Sequence, residues 1–165
     1  MRRGTPAPPP DPDDAGAAEA SALRILAGAD QSSWNLQRRL RQRGYSPRAV
    51  AVAVERCSRL GYVDDRALAS AVAARLQRTG HGRARVAAEL RARGVGSEAT
   101  ASALAEMGDD DTAAALVVGR KLLEREHRRG DDQGARRRVA AGLERRGFTS
   151  GVIAGTLRTL SRASE

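Results

Sequence analysis

An internal repeat of apolar residues and glycine constrains the fold of this chain more than any other feature. Its first copy is Leu36, Leu40, Gly44 and Tyr45, in which the two leucines are one helical turn apart and the glycine follows four residues later. Copies begin 50 and then a further 53 residues along the chain. A period of this length predicts a tandem array of small helical units. The second copy is Val86, Leu90, Gly94 and Val95, and the third is Val139, Leu143, Gly147 and Phe148.

The glycine predicts how each helix ends. If Gly44 is the left-handed residue after the helix, Leu40 and Tyr45 occupy the two positions whose apolar contact closes a Schellman motif. Ser46 then suits an N-cap, and Pro47 suits the first position of the next helix, where its missing N–H does no harm. Each unit therefore contains a helix, a tight turn and a second helix. The equivalent residues are Gly94 with Ser97 in the second copy and Gly147 with Thr149 in the third.

A further helix is predicted before each of these pairs, near residues 18–28, over residues 65–78 and over residues 111–128. We therefore predict an all-α fold of three tandem three-helix repeats, in an elongated array of the kind that often curves. The predicted repeats are residues 18–64, 65–108 and 109–165. Residues 1–17 contain five of the six prolines and three aspartates, which predicts a disordered Pro/Asp-rich tail.

The charge of the chain favours an acidic or polyanionic partner. The formal net charge is +9, and Lys121 is the sole lysine among the 29 basic residues. Nucleic acid is the first candidate, although a GC-rich genome would also favour arginine. One cysteine excludes an internal disulfide, and no apolar run is long enough to span a bilayer. We predict a cytoplasmic protein that does not enter the membrane.

The residues that would carry catalysis are scattered. The histidines His81 and His127 and the single Cys57 do not stand at metal-ligand spacing, and no phosphate-binding Gly-rich motif is present. The acidic residues 109–111 and 131–132 fall at predicted helix starts, where carboxylates complement the helix dipole. We therefore predict a protein that is not an enzyme and has no metal site and no cofactor.

Three further residues have predicted structural roles. Cys57 precedes Gly61 as Leu40 precedes Gly44, so it should be an inert buried thiol under Tyr62. Asp64 should cap the helix that follows it. Trp34 lies off the apolar stripe and is either a packing anchor against the first helix or an exposed stacking contact, of which packing is favoured.

Arginines cluster at the same place in all three repeats. A solvated helix face is the usual explanation, and Arg85 with Glu89 suits a local i,i+4 pair. A positive stripe that binds a polyanion or an acidic groove is an equally good interpretation. The clusters are Arg38, Arg39, Arg41 and Arg43; Arg83, Arg85, Arg91 and Arg93; and Arg136, Arg137, Arg138, Arg145 and Arg146.

Three motifs resemble the RecX regulatory family over roughly residues 20–160. They are the run from Gly61 to Ala69 (GYVDDRALA), the segment from Gly82 to Val95, and the segment from Arg138 to Phe148. The family usually has an aromatic residue where Leu68 stands, often a glutamate where Asn35 stands, and a bulky apolar residue where Gly142 stands. We expect these departures to loosen the core and the cap of the first helix pair.

The resemblance implies a modulator of the RecA recombinase. Members of the family are tandem three-helix repeats that lie in the groove of the RecA filament on single-stranded DNA. They limit filament growth, inhibit ATP hydrolysis and strand exchange, and do no chemistry themselves. By the family's general pattern, the candidate partner-binding residues are Asp64, Asp65 and the arginine clusters.

Two other functions remain open. A helix, a glycine turn and a second helix also describe a DNA-binding helix-turn-helix, so a general DNA-binding or nucleoid protein that contacts single- or double-stranded DNA is the main alternative. Such proteins usually dimerise, whereas this sequence predicts a monomer. A helical adaptor for another acidic protein is the third interpretation.

Overall fold

The computed structural model describes residues 9–108, 111–128 and 134–162, and every regular element within these ranges is an α-helix. The predicted all-α class is confirmed. The described helices are α1 (Ala15–Leu26), α2 (Ser33–Gln42), α3 (Pro47–Arg59), α4 (Asp65–Arg78), α5 (Arg83–Ala92), α6 (Ser97–Glu106), α7 (Thr112–His127), α8 (Ala135–Arg145) and α9 (Ser150–Arg162).

Glycines with positive φ end the helices as the sequence predicts. Gly44 has φ +93° and Gly147 has φ +81°, values that side-chain-bearing residues rarely adopt. The N–H of Tyr45 donates to the Leu40 carbonyl at 3.4 Å, which is the long hydrogen bond of a Schellman motif. The N–H of Phe148 donates to the Leu143 carbonyl at 3.3 Å in the same way. The predicted turns are therefore confirmed in the first and third copies of the repeat.

Side-chain caps begin the helices. The Ser46 hydroxyl accepts a hydrogen bond from the N–H of Ala49 at 3.3 Å, and Pro47 is the first residue of α3. The Asp64 carboxylate accepts from the N–H groups of Arg66 and Ala67, each at 2.9 Å. Both caps satisfy N–H groups that have no partner within their own helix, and both match the sequence prediction.

Helix α1 begins at Ala15, three residues before the predicted start, so the predicted disordered tail extends too far. Asp14 caps the helix by accepting from the N–H of Ala17 at 2.9 Å. The N–H of Ser46 donates to the Pro12 carbonyl at 2.9 Å, and the Tyr45 hydroxyl donates to Ala17 at 3.1 Å. These bonds come from a turn about 30 residues away, which is why local composition did not predict them. Residues 1–8 of the predicted tail lie outside the described residues.

The chain divides into two compact units. Unit 1 comprises the described residues up to Ala69 together with Arg91–Ala99. Unit 2 comprises Ser70–Leu90 and the described residues from Thr100 onward. The second predicted repeat thus contributes residues to both units.

Small apolar side chains and two leucines form the core of unit 1. Leu36 and Leu40 of α2 pack with Val50 and Cys57 of α3, and all four are at most 1% exposed. Burying each leucine or valine contributes about 1.5–3 kcal/mol. Burial raises the pKa of the Cys57 thiol, with a further contribution from Glu19, so the thiol stays protonated as predicted. Tyr62, which was expected to cover Cys57, is 57% exposed.

Glycines bring the helices of unit 2 together. A Cβ atom at Gly142 would lie 2.8 Å from Cδ1 of Leu122, and one at Gly119 would lie 2.9 Å from Cγ2 of Thr156. These contacts surround a core that contains Val139. The sequence expectation that Gly142 loosens the core is wrong at this position, because Leu122 of α7 occupies the space that a larger residue would take.

Candidate partner-binding surfaces

The first turn of α2 is held by residues distant in the sequence. The Ser32 hydroxyl donates to the carbonyl of Arg93, the residue after α5, at 2.5 Å. The Ser33 N–H and hydroxyl donate to the two oxygens of Asp65, at 2.8 and 2.7 Å. The ring of Trp34 lies so close to Gly94 that a Cβ there would be 2.2 Å from Cε3. We call this contact the first joint, formed by Ser32, Ser33 and Trp34 with Asp65, Arg93 and Gly94.

The first turn of α5, in unit 2, is held by an equivalent set of contacts. The N–H of Gly82 donates to the carbonyl of Arg146, the C-cap of α8, at 2.8 Å. The N–H of Arg83 donates to the Asp111 carboxylate at 2.9 Å. A Cβ at Gly147 would lie 2.3 Å from the backbone nitrogen of Arg85. We call this contact the second joint, formed by Gly82, Arg83 and Arg85 with Asp111, Arg146 and Gly147.

Both predicted acidic site residues bind their own chain. Asp64 caps α4, and both oxygens of the half-buried Asp65 accept hydrogen bonds from Ser33. Charge-assisted bonds of this kind are roughly twice as strong as neutral ones. The two carboxylates, with Ser58 and Gly61, line a depression of about 350 Å³. Their structural role is evident, and their role toward a partner stays a prediction.

A groove beside α2 combines an aromatic ring with basic and amide groups. Trp34 is 52% exposed, and the Arg38 guanidinium lies 5.1 Å from its ring centroid in a cation–π contact. The packing of this ring on Gly94 was not predicted from the sequence. We call this surface the Trp34 groove. It has a volume of about 380 Å³ and is lined by Trp34, Gln37, Arg38, Arg41 and Gln42.

The predicted arginines of unit 1 divide into two groups. Arg43 is half-buried and donates to the Ser21 hydroxyl at 2.6 Å, so it ties the end of α2 to α1. Arg39 and Arg93 are also half-buried. By contrast, Arg38, Arg41 and Arg91 are exposed and can reach an external partner.

The predicted arginines of unit 2 divide in the same way. Arg83 donates to the carbonyls of Leu104 and Gly108, and Arg138 pairs with the buried Glu126 at 2.6 Å. Arg146 donates to Gly142 at 3.2 Å. Arg85 lies 3.8 Å from Glu89, which confirms the predicted i,i+4 pair. The exposed members are Arg85, Arg136, Arg137 and Arg145.

The described part of the chain holds no group of three or more histidine, cysteine or acidic residues placed to bind a metal ion. Nδ1 of His81 lies 3.0 Å from the Thr79 hydroxyl, a local contact within one turn. Of the predicted acidic helix starts, Asp111 belongs to the second joint, whereas residues 109–110 and 131–132 lie outside the described ranges. Among the described helices, none has the length and apolar character needed to cross a membrane.

Three-helix segments in tandem, with one joint inside each compact unit and arginines exposed on both, define an all-α tandem-repeat protein. Comparison with protein families gives two matches. The model of the first three-helix domain of RecX matches residues 18–57, and that of the second three-helix domain of RecX matches residues 64–104.

Named relatives and solved structures agree with these matches. A regulatory protein RecX from Trichlorobacter lovleyi is 36% identical over 138 residues, covering 81% of this chain and 88% of that protein. One from Mycobacterium sp. (strain JLS) is 34% identical over 152 residues, covering 89% and 83%. The crystal structure of RecX from Lactobacillus salivarius superposes with a TM-score of 0.77 at 16% identity, covering 90% and 97%. The chain belongs to the RecX family of regulatory proteins.

Proposed function

We propose that this protein binds the RecA filament on single-stranded DNA and modulates it, mainly by inhibiting its ATPase, its growth and strand exchange. The proposal rests on one observation: a chain of this regulatory family exposes arginines at its surface, with Arg38 and Arg41 beside an exposed Trp34. In this proposal the protein acts in the cytoplasm as a monomer, needs no cofactor and does no chemistry itself.

The lining of the Trp34 groove supports a partner that carries negative charge. None of its residues is acidic, and the arginines Arg38 and Arg41 can donate in a bidentate fashion to carboxylates or phosphates. The exposed tryptophan adds apolar contact area, and aromatic and arginine side chains dominate binding energy at many interfaces. We therefore assign the main partner contacts to the exposed arginines rather than to Arg43, Arg83, Arg138 and Arg146, which bond within the chain.

The test is ATP hydrolysis by RecA on single-stranded DNA, titrated with the wild-type protein and with Arg38→Glu/Arg41→Glu. Inhibition by less than one protein per RecA is expected for the wild type, and the double variant should need at least about tenfold more protein, as expected for losing about 1.4 kcal/mol of binding. The matched control is Arg48→Glu/Arg59→Glu, which reverses two exposed charges on α3 and should inhibit normally. Absence of inhibition by a several-fold excess of wild type contradicts the proposal.

A second candidate is a general DNA-binding protein. The Trp34 groove favours it, because an aromatic ring next to arginines is the composition of a single-stranded DNA platform. Fluorescence anisotropy with bare and RecA-coated single-stranded DNA separates the candidates. Equal affinities that weaken together with salt favour general DNA binding, and a clear preference for the coated DNA favours the filament. Binding to neither would leave the interpretation as an adaptor for another acidic protein.

A further inference from the structure

A second basic groove lies within unit 2, between the end of α4 and one face of α7. Its volume is about 470 Å³, within the range of 300–1,000 Å³ that is typical of ligand sites. Residues of α7 that recur at three- and four-residue spacing form its long wall. We call it the α4–α7 groove, and the lining residues that determine its chemistry are Arg78, Val117, Lys121, Leu122, Arg125 and Arg146.

A glycine turn fixes the short wall of this groove. Gly80 has φ +75°, and a Cβ there would lie 2.7 Å from Cγ2 of Val118. The N–H of His81 donates to the Leu76 carbonyl at 3.0 Å and closes the turn. The turn therefore lies directly against α7, and the groove is built into the fold of unit 2.

The groove is positively charged. Its lining contains Arg78, Lys121, Arg125 and Arg146 and no acidic residue. The first three are exposed and Arg146 is half-buried. Lys121 and Arg125 are four residues apart on α7, so they extend from the same face of the helix. Four positive groups around one depression favour an anionic occupant.

The groove is also apolar between these charges. Val117 is 56% exposed, whereas Val118 and Leu122 pack on the core of unit 2 from below. No aromatic residue lines the groove. Proteins that bind single-stranded nucleic acid stack bases on aromatic rings, so this groove lacks what the Trp34 groove has. An aliphatic floor between positive groups suits a chain with an apolar side chain flanked by carboxylates.

We infer that the α4–α7 groove binds an acidic peptide segment through an apolar anchor residue. The anchor packs on Val117 and Leu122, and the flanking carboxylates pair with Lys121 and Arg125. This site goes beyond the proposed regulation of RecA and does not depend on it, because its test measures peptide binding to the full chain without RecA.

The probe is a fluorescein-labelled peptide with a Leu-Phe pair between two runs of three glutamates, followed by fluorescence anisotropy. Replacing the Leu-Phe pair by two alanines, or the glutamates by glutamines, should weaken binding about tenfold in each case. A labelled oligothymidylate of similar length is the nucleic-acid comparison.

Three variants locate the site. Lys121→Glu/Arg125→Glu should weaken peptide binding at least about tenfold, since reversing exposed interfacial charges slows association with an acidic peptide and sets like charges against each other. Val117→Ser changes an exposed position and should weaken it about threefold through the lost apolar contact alone. The matched control Arg120→Glu/Arg128→Glu makes the same charge change at exposed positions of α7 and its end outside the groove, and it should bind within about twofold of wild type.

Several results would overturn the inference. Absence of peptide binding by the wild type is one, and equal binding of the peptide whose anchor is replaced by alanines is another. Loss of binding in the control variant to the same extent as in Lys121→Glu/Arg125→Glu would show a non-specific charge effect. Tighter binding of oligothymidylate that depends on Lys121 and Arg125 would assign the groove to nucleic acid instead. Circular dichroism of each variant shows whether it is folded.

Discussion

The two joints hold the first turn of a helix, α2 in one case and α5 in the other, through different atoms. In the first joint, the Ser32 hydroxyl donates to the carbonyl of Arg93, at the end of α5. In the second, the backbone N–H of Gly82 donates to the carbonyl of Arg146, at the end of α8. An aspartate accepts from the first residue of the helix in both joints. Asp65 accepts two hydrogen bonds from Ser33, and Asp111 accepts one from Arg83. The first joint therefore depends on side chains that can be replaced, and the second depends mainly on the path of the backbone.

The close glycine contacts show the same difference. Gly94 faces the Trp34 ring, which can rotate, but Gly147 faces the backbone of Arg85, which is fixed by α5. Fifty residues after Trp34 stands Ala84, so the second joint forms without an aromatic ring. We conclude that a joint of this kind can form without a tryptophan at this position. The exposed part of Trp34 is therefore available for binding at the surface of unit 1.

The largest effect is expected from adding a methyl group at each close glycine. Gly147→Ala should destabilise by about 4 kcal/mol, because the left-handed backbone is strained and a backbone nitrogen stands in the way. Gly94→Ala should cost about 2–3 kcal/mol, since Trp34 can move aside. Gly61→Ala has the strained φ without a neighbour within 4 Å and should cost about 1–2 kcal/mol. Urea unfolding followed by circular dichroism measures all three. Equal losses of stability would show that the atoms facing each glycine do not determine the cost of the substitution.

The two aspartates should differ by one hydrogen bond. Asp65→Ala leaves the Ser33 N–H and hydroxyl without their acceptor and should destabilise by about 2–3 kcal/mol. Asp111→Ala removes the acceptor of the Arg83 N–H and should cost about 1–2 kcal/mol. Denaturation midpoints of the two variants give the order. A larger loss of stability for Asp111→Ala would show that the number of hydrogen bonds to the aspartate does not determine its contribution.

Ser32 offers a way to separate its two bonds. Ser32→Ala should cost about 1–2 kcal/mol, because it removes the cap of α2 and the bond to Arg93. As an N-cap, glycine is only a few tenths of a kcal/mol less stabilising than serine. Most of any loss of stability in Ser32→Gly therefore measures the hydrogen bond to Arg93. Thermal unfolding of both variants provides the measurement. If Ser32→Gly is as stable as wild type, the bond across the joint contributes nothing.

The smallest effect on stability is expected at Trp34. Trp34→Ala should cost about 1 kcal/mol, because half of the ring is exposed and the cation–π contact with Arg38 is a surface interaction. Arg38→Ala removes the cation–π contact and the Arg38–Asn35 hydrogen bond but keeps the ring, and it serves as the control. Urea unfolding checks the prediction, and a loss above about 3 kcal/mol would mean that the ring is a core residue of the first joint.

Local sequence was sufficient for the helix ends and insufficient for the joints. The Gly44 turn, the Asp64 cap and the bounds of α4 were predicted because each depends on residues within one or two turns. The bond from Ser32 to Arg93 joins residues 61 apart, and no spacing rule indicates which distant carbonyl a serine will meet. The same applies to the arginines, since burial and partners separate Arg43 from Arg41 although the sequence places them in one cluster.

The packing of Trp34 on Gly94 also has a spectroscopic consequence. Trp34 is the one tryptophan of the chain, so ultraviolet emission from indole comes from the first joint alone. Opening of this joint, or a ligand in the Trp34 groove, would change the polarity around a single fluorophore, whereas opening of the second joint would leave it unchanged. The native chain thus carries its own optical probe of one joint, and no label is needed to tell the two apart.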